Sequence, residues 1–444
     1  MAHFAIVTSL ITGRIHSSYQ MVSRLQNEGH SVTYICQPST ISKIEKNGFT
    51  CVPLPELNLH VNPYPDNHKL SWKAKFKFHH KNKTNHFKES WVFYKIDEVK
   101  AVLTKVNPDV IIVDTELHDV ILPALDLEIP IKLWTTWWPD TISSSSPSLR
   151  TSVIPGRGFN GTKLGIIFSW MKMRTKIYGR LLIDRLTFVN YRRSFFKQYA
   201  NKIGFDTNKM YVNTLPPLWS FSTIPIVSLG LKEIEFPHDY SENAIYLGPM
   251  IYEGRIDNSD AIIDWPKLNA VFKKAKEKQK KIVYCSVGSL VAGDQSFLER
   301  VIQAVSEIDF LELVLSIGPK MTIESFKKVP ANVHLFNWVP QIEVLKQSDC
   351  AIIACGNNSI NECLHFEVPM LLYSGNYTDQ NGNAARMTYH GLGILGNEQA
   401  DSSEQISQNL TKILTDPVYA DNIKRFTKVY QLYNQRELAP ILLS

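Results

Sequence analysis

The sequence predicts an α/β protein in which two Rossmann-like, doubly wound domains face a central cleft. Strand-like and helix-like segments alternate along all 444 residues. The strand-like segments are short and continuously apolar, which is typical of buried parallel strands. A chain of this length also exceeds what a single hydrophobic core usually serves, so we expect two domains.

The N-terminal half alternates strands and helices from its first residues onward. A helical pattern begins near Ser18, after the first strand, and Gly29 is placed to end it. This βα alternation favours a parallel sheet covered by helices. The predicted strands are HFAIVTS (3–9), SVTYICQ (31–37), PDVIIVD (108–114) and IPIKLWTT (129–136).

The C-terminal half repeats this plan. Between the halves, AIYLGPMIYEGRIDNSD has turn residues and no periodicity, so we place a linker at 249–262. The domains are then 1–248 and 263–425, with a C-terminal helix at 426–444 that packs back on the N-terminal domain. The predicted strands are KIVYCSVGS (281–289), LELVLSIG (311–318), NVHLFNWV (332–339), CAIIAC (350–355) and PMLLYSG (369–375).

The composition is that of a globular protein, with 44% hydrophobic and 20% charged residues and a net charge of +6. No apolar run is long enough to cross a bilayer. The first residues lack a basic n-region and a cleavage site, so we expect a strand there and a cytoplasmic protein. Six scattered cysteines lack metal-ligand spacing and are expected to be free thiols, with no metal site. The run SSSSPS (143–148) predicts a mobile loop.

Small residues end the strand KIVYCSVGS. Ser286, Gly288 and Ser289 would let backbone N–H groups and hydroxyls approach an anion. A plain tight turn explains the same residues equally well.

An aromatic residue and an amide follow the strand NVHLFNWV. Trp338 could stack on a flat base, and Gln341 could offer both a donor and an acceptor to a ligand. The alternative is a core tryptophan followed by a proline that starts a helix.

The segment ACGNNSINE (354–362) lies between a buried strand and a helix start. Gly356, Asn357, Asn358 and Ser359 bring free N–H groups and the helix dipole to one point, which is typical of an anion site. The alternative is structural, because Ser359 and Glu362 have the spacing of a capping box. A carboxylate at a diphosphate site is favourable only where it faces uncharged groups such as ribose hydroxyls.

Asp379, Gln380 and Asn383 are predicted to lie in a polar loop after the strand PMLLYSG. An acid and an amide at a cleft rim suit the recognition of adjacent sugar hydroxyls. Ordinary loop polarity is the alternative.

The order and spacing of these motifs carry a family resemblance. W-x-P-Q, G-x-N-S-x-x-E, V-P-M and D-Q within 338–393 resemble the donor-binding signature of the UDP-glycosyltransferases, which have the GT-B fold. The likeness is greatest to bacterial macrolide and carotenoid (zeaxanthin) glucosyltransferases. Residues 3–33 also resemble that group, whereas about 55–240, the expected acceptor-binding region, does not.

The resemblance implies a role for each matching residue. Trp338 stacks on uracil or thymine, and Val339 and Gln341 contact the nucleoside. Glu362 binds the ribose hydroxyls, while Asp379 and Gln380 bind the sugar. The diphosphate is held by Ser289, Gly356, Asn358 and Ser359, with a backbone contact from Asn357. The full predicted donor-binding set is Ser286, Gly288, Ser289, Trp338, Val339, Gln341, Gly356, Asn357, Asn358, Ser359, Glu362, Asp379, Gln380 and Asn383.

Two histidines that are usual in this family are replaced. Ala354 stands where a histidine usually contacts the diphosphate, and Arg14 stands where a histidine acts as the general base. The usual partner of that base matches Asp114, so we predict an Arg14–Asp114 ion pair at the cleft floor. Arginine stays protonated and cannot act as the base.

Three accounts follow from the missing base. In the first, His16 in the same loop takes over, oriented by Asp114 or Glu116. In the second, the acceptor is itself acidic and is bound by Arg14. In the third, transfer is lost and the protein binds a nucleotide sugar or serves as a partner subunit.

Two stretches of the N-terminal half, 69–91 and 168–197, mix basic and aromatic residues. Basic amphipathic helices fit an anionic membrane surface, so we consider peripheral membrane contact and a lipid-like acceptor. The alternative is a solvated basic face with the aromatic residues packed inward. Nucleic-acid binding lacks an accompanying motif.

Together these features predict an inverting glycosyltransferase. It would move a hexose, glucose first, from a UDP- or TDP-sugar to a small apolar, aromatic or lipid-like acceptor, without a cofactor. The alternatives are a non-catalytic nucleotide-sugar binder or partner subunit, and a sugar epimerase on the same fold.

Overall fold

A computed structural model describes residues 1–59, 61, 63–64, 70–82, 85–187, 191–215, 218–256, 263–286, 294–318 and 320–444. Within these residues the chain forms two parallel sheets and a short hairpin, with helices on the sheet faces. The predicted α/β class with two doubly wound sheets is confirmed.

The first sheet has seven strands, all paired in parallel. Its order is β3-β2-β1-β4-β5-β8-β9, and β6 and β7 form the separate antiparallel hairpin. The strands in this half are β1 (His3–Val7), β2 (Ser31–Cys36), β3 (Cys51–Pro53), β4 (Val110–Asp114), β5 (Ile131–Thr135), β6 (Met210–Tyr211), β7 (Ser220–Phe221), β8 (Ile226–Ser228) and β9 (Ala244–Tyr246).

The second sheet has six parallel strands in the order β12-β11-β10-β13-β14-β15. Its strands are β10 (Lys281–Ser286), β11 (Leu311–Ser316), β12 (Val333–Phe336), β13 (Cys350–Ile353), β14 (Met370–Leu372) and β15 (Gly393–Leu395). In each sheet the strand order changes direction at one strand, β1 in the first sheet and β10 in the second. Such a change of direction opens a crevice at the carboxyl ends of the strands.

Helices cover both faces of each sheet because successive strand residues point to opposite sides. In β1, Phe4 and Ile6 belong to one buried cluster, and Ala5 and Val7 belong to another. The N-terminal helices are α1 (Thr12–Asn27), α2 (Pro38–Glu45), α3 (Trp72–Asn82), α4 (His86–Phe93), α5 (Ile96–Val106), α6 (His118–Asp126), α7 (Lys163–Leu186) and α8 (Tyr191–Lys202). The C-terminal helices are α9 (Trp265–Glu277), α10 (Gln295–Ser306), α11 (Gln341–Leu345), α12 (Asn357–His365), α13 (Gln380–Tyr389), α14 (Ser403–Thr415), α15 (Pro417–Asn434) and α16 (Ala439–Leu443).

The chain passes from the first sheet to the second between β9 and α9. Of the predicted linker, 249–256 is irregular chain, and 257–262 lies outside the described residues. At the C-terminus, the backbone N–H groups of Leu438 and Ala439 donate to the Glu28 carboxylate at the end of α1. Leu442 is buried in the same cluster as Phe4. The last helix therefore lies against the N-terminal sheet, while the domain bounds themselves stay predictions.

The prediction that the first helix begins near Ser18 is wrong. Helix α1 begins at Thr12, because buried Ile15 extends its apolar face backward by one turn from Tyr19 and Val22. Arg14 therefore lies in the first turn of this helix and His16 at the start of the second, and neither residue is in a loop.

The run SSSSPS (143–148) is irregular chain, as predicted, while its mobility stays a prediction. Ser146 and Ser148 are buried, and the Ser148 hydroxyl donates to the Asp140 carboxylate over 2.9 Å. The backbone N–H of Leu149 donates to the other oxygen of that carboxylate over 2.9 Å. The buried Asp140 carboxylate therefore holds the end of this segment in place. Among the described residues, no helix combines the length and the apolar character that crossing a bilayer demands.

Candidate active site

The carboxyl ends of the two sheets open onto one cavity of about 1590 Å³. Its N-terminal wall includes Gly13, Arg14, His16, Glu116 and Trp137. The opposite wall consists of loops and helix starts that follow the strands of the second sheet. Of the predicted site residues, those that line this cavity are Arg14, His16, Ser286, Trp338, Val339, Gln341, Gly356, Asn357, Asn358, Ser359, Glu362, Asp379 and Gln380.

The remaining predicted site residues are placed differently. Asp114 is fully buried behind Arg14, and Asn383 is fully buried within α13. Gly288 and Ser289 lie outside the described residues.

Helix α12 starts at the centre of the cavity. Cys355 has φ of +61°, a left-handed conformation that turns the chain sharply between β13 and the N-cap Gly356. The helix then begins at Asn357, so its unsatisfied N–H groups are directed to the cavity side on which Gly356 and Ser359 lie. This arrangement suits an anion.

The capping-box alternative for Ser359 and Glu362 is wrong. Because α12 begins two residues before Ser359, that residue is inside the helix and does not cap it. Its hydroxyl accepts a hydrogen bond from Nε2 of Gln341 over 3.1 Å. The Glu362 carboxylate accepts from the same Nε2 over 2.6 Å. Both side chains are thus part of the cavity wall.

Gln341 is held in a single orientation by these contacts. Its Oε1 accepts from the Tyr284 hydroxyl over 3.1 Å, while its Nε2 donates to Ser359 and Glu362. Trp338 lies two residues beyond β12 and is partly exposed to the cavity. A flat ring next to a fixed amide can bind a base and its sugar.

Arg255 is a cavity residue that the sequence reasoning missed. Its Nη1 lies 2.5 Å from Oε1 of Glu362, and both side chains are at most 8% exposed. Arg255 comes from the irregular segment after β9, where no periodicity or motif marks it. Only the contact between the two halves of the chain brings Arg255 to Glu362.

The prediction of a polar loop is wrong for Gln380 and Asn383, which lie in α13, whereas Asp379 is the N-cap residue in the turn before that helix. Nδ2 of Asn383 donates to the Cys355 carbonyl over 3.0 Å and to Asp379 Oδ2 over 2.8 Å. Oε1 of Gln380 accepts from the backbone N–H of Gly375 over 3.1 Å. Asn383 therefore fixes the position of the Asp379 carboxylate, and Gln380 fixes the neighbouring loop at Gly375.

Two asparagines of α12 bridge the cavity to the N-terminal half. The Asn357 amide donates to the Thr136 carbonyl, and the Asn358 amide donates to the Gly13 carbonyl. The Ser17 hydroxyl donates to Oδ1 of Asn358 over 2.6 Å. A Cβ on Gly13 would lie 2.8 Å from Nδ2 of Asn358, so a larger residue there would displace this amide.

Arg14 is the centre of the N-terminal wall. It forms ion pairs with Asp114 and with Glu116, the latter at 3.4 Å, and its guanidinium lies 4.3 Å from the ring centroid of Trp137. Burial lowers the pKa of the guanidinium, which the charges of Glu116 and Asp379 oppose. The predicted Arg14–Asp114 pair is present.

His16 lies next to this cluster and lines the cavity. Burial lowers its pKa to about 2, and the charges of Arg255 and Lys43 add to that effect. The imidazole is therefore neutral at physiological pH and has little affinity for a proton.

Comparisons with known proteins identify similar glycosyltransferases. The family described as "Erythromycin biosynthesis protein CIII-like, C-terminal domain" matches residues 299–430. The oleandomycin glycosyltransferase of Streptomyces antibioticus is 22% identical over 428 residues, which are 96% of this chain and 86% of that protein. An uncharacterized UDP-glucosyltransferase of Bacillus subtilis, YdhE, is 26% identical over 192 residues, but the match spans only 43% of this chain and 45% of that protein.

Solved structures of glycosyltransferases share the whole architecture. The kitacinnamycin glycosyltransferase superposes with a TM-score of 0.67 at 19% identity, over 97% of this chain and 95% of that one. The glycosyltransferase VinC, solved in complex with DTDP, superposes with a TM-score of 0.61 at 16% identity, over 97% of this chain and 95% of that one.

The fold is therefore GT-B, the fold of these glycosyltransferases. Within that fold class, residues 299–430 match the EryCIII-like C-terminal domain, and the chain is similar to named glycosyltransferases over most of its length. The predicted likeness to macrolide-type enzymes is confirmed, and the likeness to carotenoid enzymes stays a prediction.

Proposed function

We propose that this protein transfers a hexose from a UDP- or TDP-sugar to a small, largely apolar or aromatic acceptor, with inversion at the anomeric carbon. One observation carries the proposal. The W-x-P-Q, G-x-N-S-x-x-E and D-Q segments, which follow three different strands of the second sheet, all line one cavity opposite the N-terminal wall. That wall then faces the sugar, as direct displacement requires.

The donor would lie along the second sheet. Trp338 stacks on the base, Gln341 and Glu362 reach the ribose, and the start of α12 receives the diphosphate. The helix N-terminus stabilises the negative charge that develops on the leaving diphosphate. Asp379, held by Asn383, is placed for the sugar hydroxyls.

The acceptor would lie against the N-terminal wall. Leu10, Ile11 and Trp137 contribute apolar surface there, beside Arg14 and Glu116. This mixture supports an apolar or aromatic acceptor with one acidic hydroxyl or carboxylate, which Arg14 would orient. An acceptor drawn from a lipid phase has the same chemistry.

The proton of the acceptor would pass to Glu116. His16 is a poor proton acceptor because its pKa is lowered to about 2. Asp114 is fully buried and is bonded to Arg14 and to the backbone N–H groups of Ser9 and Glu116. Glu116 is the carboxylate of this cluster that lines the cavity. Arg14 holds it in place from 3.4 Å.

The test is incubation of the full chain with UDP-glucose or TDP-glucose and a panel of phenols, carboxylic acids, terpenoids and lipids. Release of UDP or TDP together with a glycosylated product, of inverted configuration by NMR, is the expected result. Tight nucleotide binding without product for every acceptor would overturn the proposal and favour the non-catalytic binder. A changed sugar without an acceptor product would indicate an epimerase.

A further inference from the structure

Helix α7 carries two apolar stripes, and within the part of the chain that the structure describes only one of them is covered. On the inner side, Ile166 and Trp170 are buried, and Nε1 of Trp170 donates to the Ser146 carbonyl over 2.9 Å. On the outer side, large apolar residues recur at spacings of three, four or seven, and each is at least 47% exposed. The outer stripe comprises Leu164, Phe168, Met171, Tyr178, Leu182 and Leu186.

The outer stripe follows the whole helix. From Leu164 to Leu186 it extends about 33 Å at 1.5 Å per residue. A helix on the surface of a globular protein normally presents a polar outer face. An exposed apolar surface of this length, interrupted only at Thr175 on this face, indicates an interaction site.

Basic residues border the stripe on both sides. By helical geometry, Lys172 adjoins one edge with Lys176 one turn further along, and Arg174 and Arg185 lie along the other edge. Asp184 is the single acidic residue in the sequence of α7, against six basic ones. The outer surface is therefore both apolar and strongly positive.

Helix α3 extends this surface. Nε1 of Trp72 donates to the carbonyl of Leu186, the last residue of α7, over 3.2 Å. Trp72 is 60% exposed, and its ring stacks on that of Phe76 at 5.9 Å. The sequence of α3 contains four lysines and no acidic residue.

We propose that the outer face of α7, together with the start of α3, docks on an anionic lipid bilayer. Aliphatic and aromatic side chains along the centre would enter the boundary between headgroups and acyl chains, while lysines and arginines at the edges contact lipid phosphates. A second copy of this chain is disfavoured, because it would bring one positive surface against another. The contact does not depend on the proposed transferase activity.

A short segment of the chain connects helix α7 with the cavity. Ser146, which accepts from Trp170 of α7, is six residues before Ser152, which lines the cavity.

The experiment is co-sedimentation of the full chain with two kinds of vesicle, phosphatidylcholine alone and phosphatidylcholine mixed with phosphatidylglycerol. We expect binding to the anionic vesicles that weakens as salt rises. The double substitution Phe168→Ser/Leu182→Ser should lower the partition coefficient at least tenfold. Its matched control is Val418→Ser/Leu432→Ser, which alters exposed apolar residues of α15 and should change nothing.

A second pair of variants tests the charges. Lys172→Ala/Lys176→Ala should lower the partition coefficient by about fivefold for each lysine removed. Lys276→Ala/Lys278→Ala, at the exposed end of α9, should leave it unchanged. Far-UV circular dichroism and the midpoint of thermal unfolding, measured in parallel, should be the same in all four variants, which shows that they are folded.

Several results would overturn the proposal. They are the absence of wild-type binding to anionic vesicles, equal binding by the Phe168→Ser/Leu182→Ser variant, and a solution dimer that this variant converts to a monomer. None of these results bears on the transfer assay, so the two proposals fail independently.

Discussion

The Arg255 guanidinium and the Glu362 carboxylate form a buried ion pair, with Nη1 and Oε1 2.5 Å apart. Arg255 comes from the segment after the first sheet, and Glu362 comes from α12 of the second. The same carboxylate accepts from Gln341 over 2.6 Å. A negative group beside a diphosphate site is unfavourable in isolation, and the neighbouring arginine compensates its charge.

The first prediction concerns this pair. Arg255→Met leaves the Glu362 charge uncompensated, so we expect the Kd for UDP to rise roughly tenfold, in line with the loss of a charged hydrogen bond. Isothermal titration calorimetry measures the change.

Lys346→Met is the matched control for the loss of one cation. Lys346 pairs with Glu253 and Glu343 on the exposed surface, where such pairs contribute little. Equal Kd values for Arg255→Met and the wild type would show that Arg255 has no part in the donor site.

The second prediction concerns the base. Trp338→Ala removes the ring that we assign to stacking, and a stacked base contributes about 1–3 kcal/mol. The Kd for UDP should rise about 10- to 100-fold, and Trp338→Phe should recover part of that loss. Trp265→Ala, at the exposed start of α9, should bind UDP as the wild type does. Retained affinity in Trp338→Ala would refute the whole donor orientation.

Much of this site could be predicted because its C-terminal wall is local in sequence. Loops that follow parallel strands meet at one sheet edge, so motifs such as W-x-P-Q and D-Q identify cavity residues from the sequence alone. The secondary structure around them was less predictable. Asp379 and Asn383 looked like loop residues because glycine and asparagine dominate that stretch, whereas buried contacts of Asn383 support a helix there.

Contacts between the two halves had no sequence signal. Arg255 and Glu362 are 107 positions apart, and Asn358 and Gly13 are 345 apart. Their pairing depends on how two separate sheets are placed, which neither periodicity nor spacing encodes. Ser146 and Ser148 are likewise buried by the surrounding structure, although the serine run alone favours a loose loop.

The third prediction concerns the acceptor proton. Glu116→Gln removes the proposed proton acceptor but keeps the shape of the side chain, so kcat should fall by about 10²- to 10⁴-fold. His16→Asn should stay within about threefold of the wild type, because a group of such low pKa contributes little as a base. Both variants should keep the wild-type Kd for UDP. The reverse ranking of the two kcat values would return the role to His16.

The fourth prediction concerns pH and Asp140. Burial raises the pKa of this carboxyl to about 6, from 3.8 in an exposed aspartate. Folding therefore favours the protonated form, so the contribution of Asp140 to the free energy of unfolding is complete below about pH 4. It is lost as the pH rises through about 6, by on the order of 3 kcal/mol.

Asp140→Asn should remove this dependence, which urea unfolding at several values between about pH 4 and pH 7 would measure. Asp309→Asn, at an exposed position after α10, should keep the wild-type slope. An unchanged slope in Asp140→Asn would show that another group causes the dependence.

The last prediction restores a missing contact. Ala354 ends the turn before Cys355, lines the cavity and is 8% exposed, so a larger side chain at this position extends toward the start of α12. Ala354→His introduces a hydrogen-bond donor there, and one such bond contributes about 1 kcal/mol. The Kd for UDP should fall about fivefold, while the Kd for uridine, which has no phosphate, should not change. Ala354→Leu adds similar bulk without a donor and should not strengthen UDP binding. If Ala354→His strengthened uridine binding equally, the new side chain would be contacting the nucleoside, and the start of α12 would lose its assignment to the diphosphate.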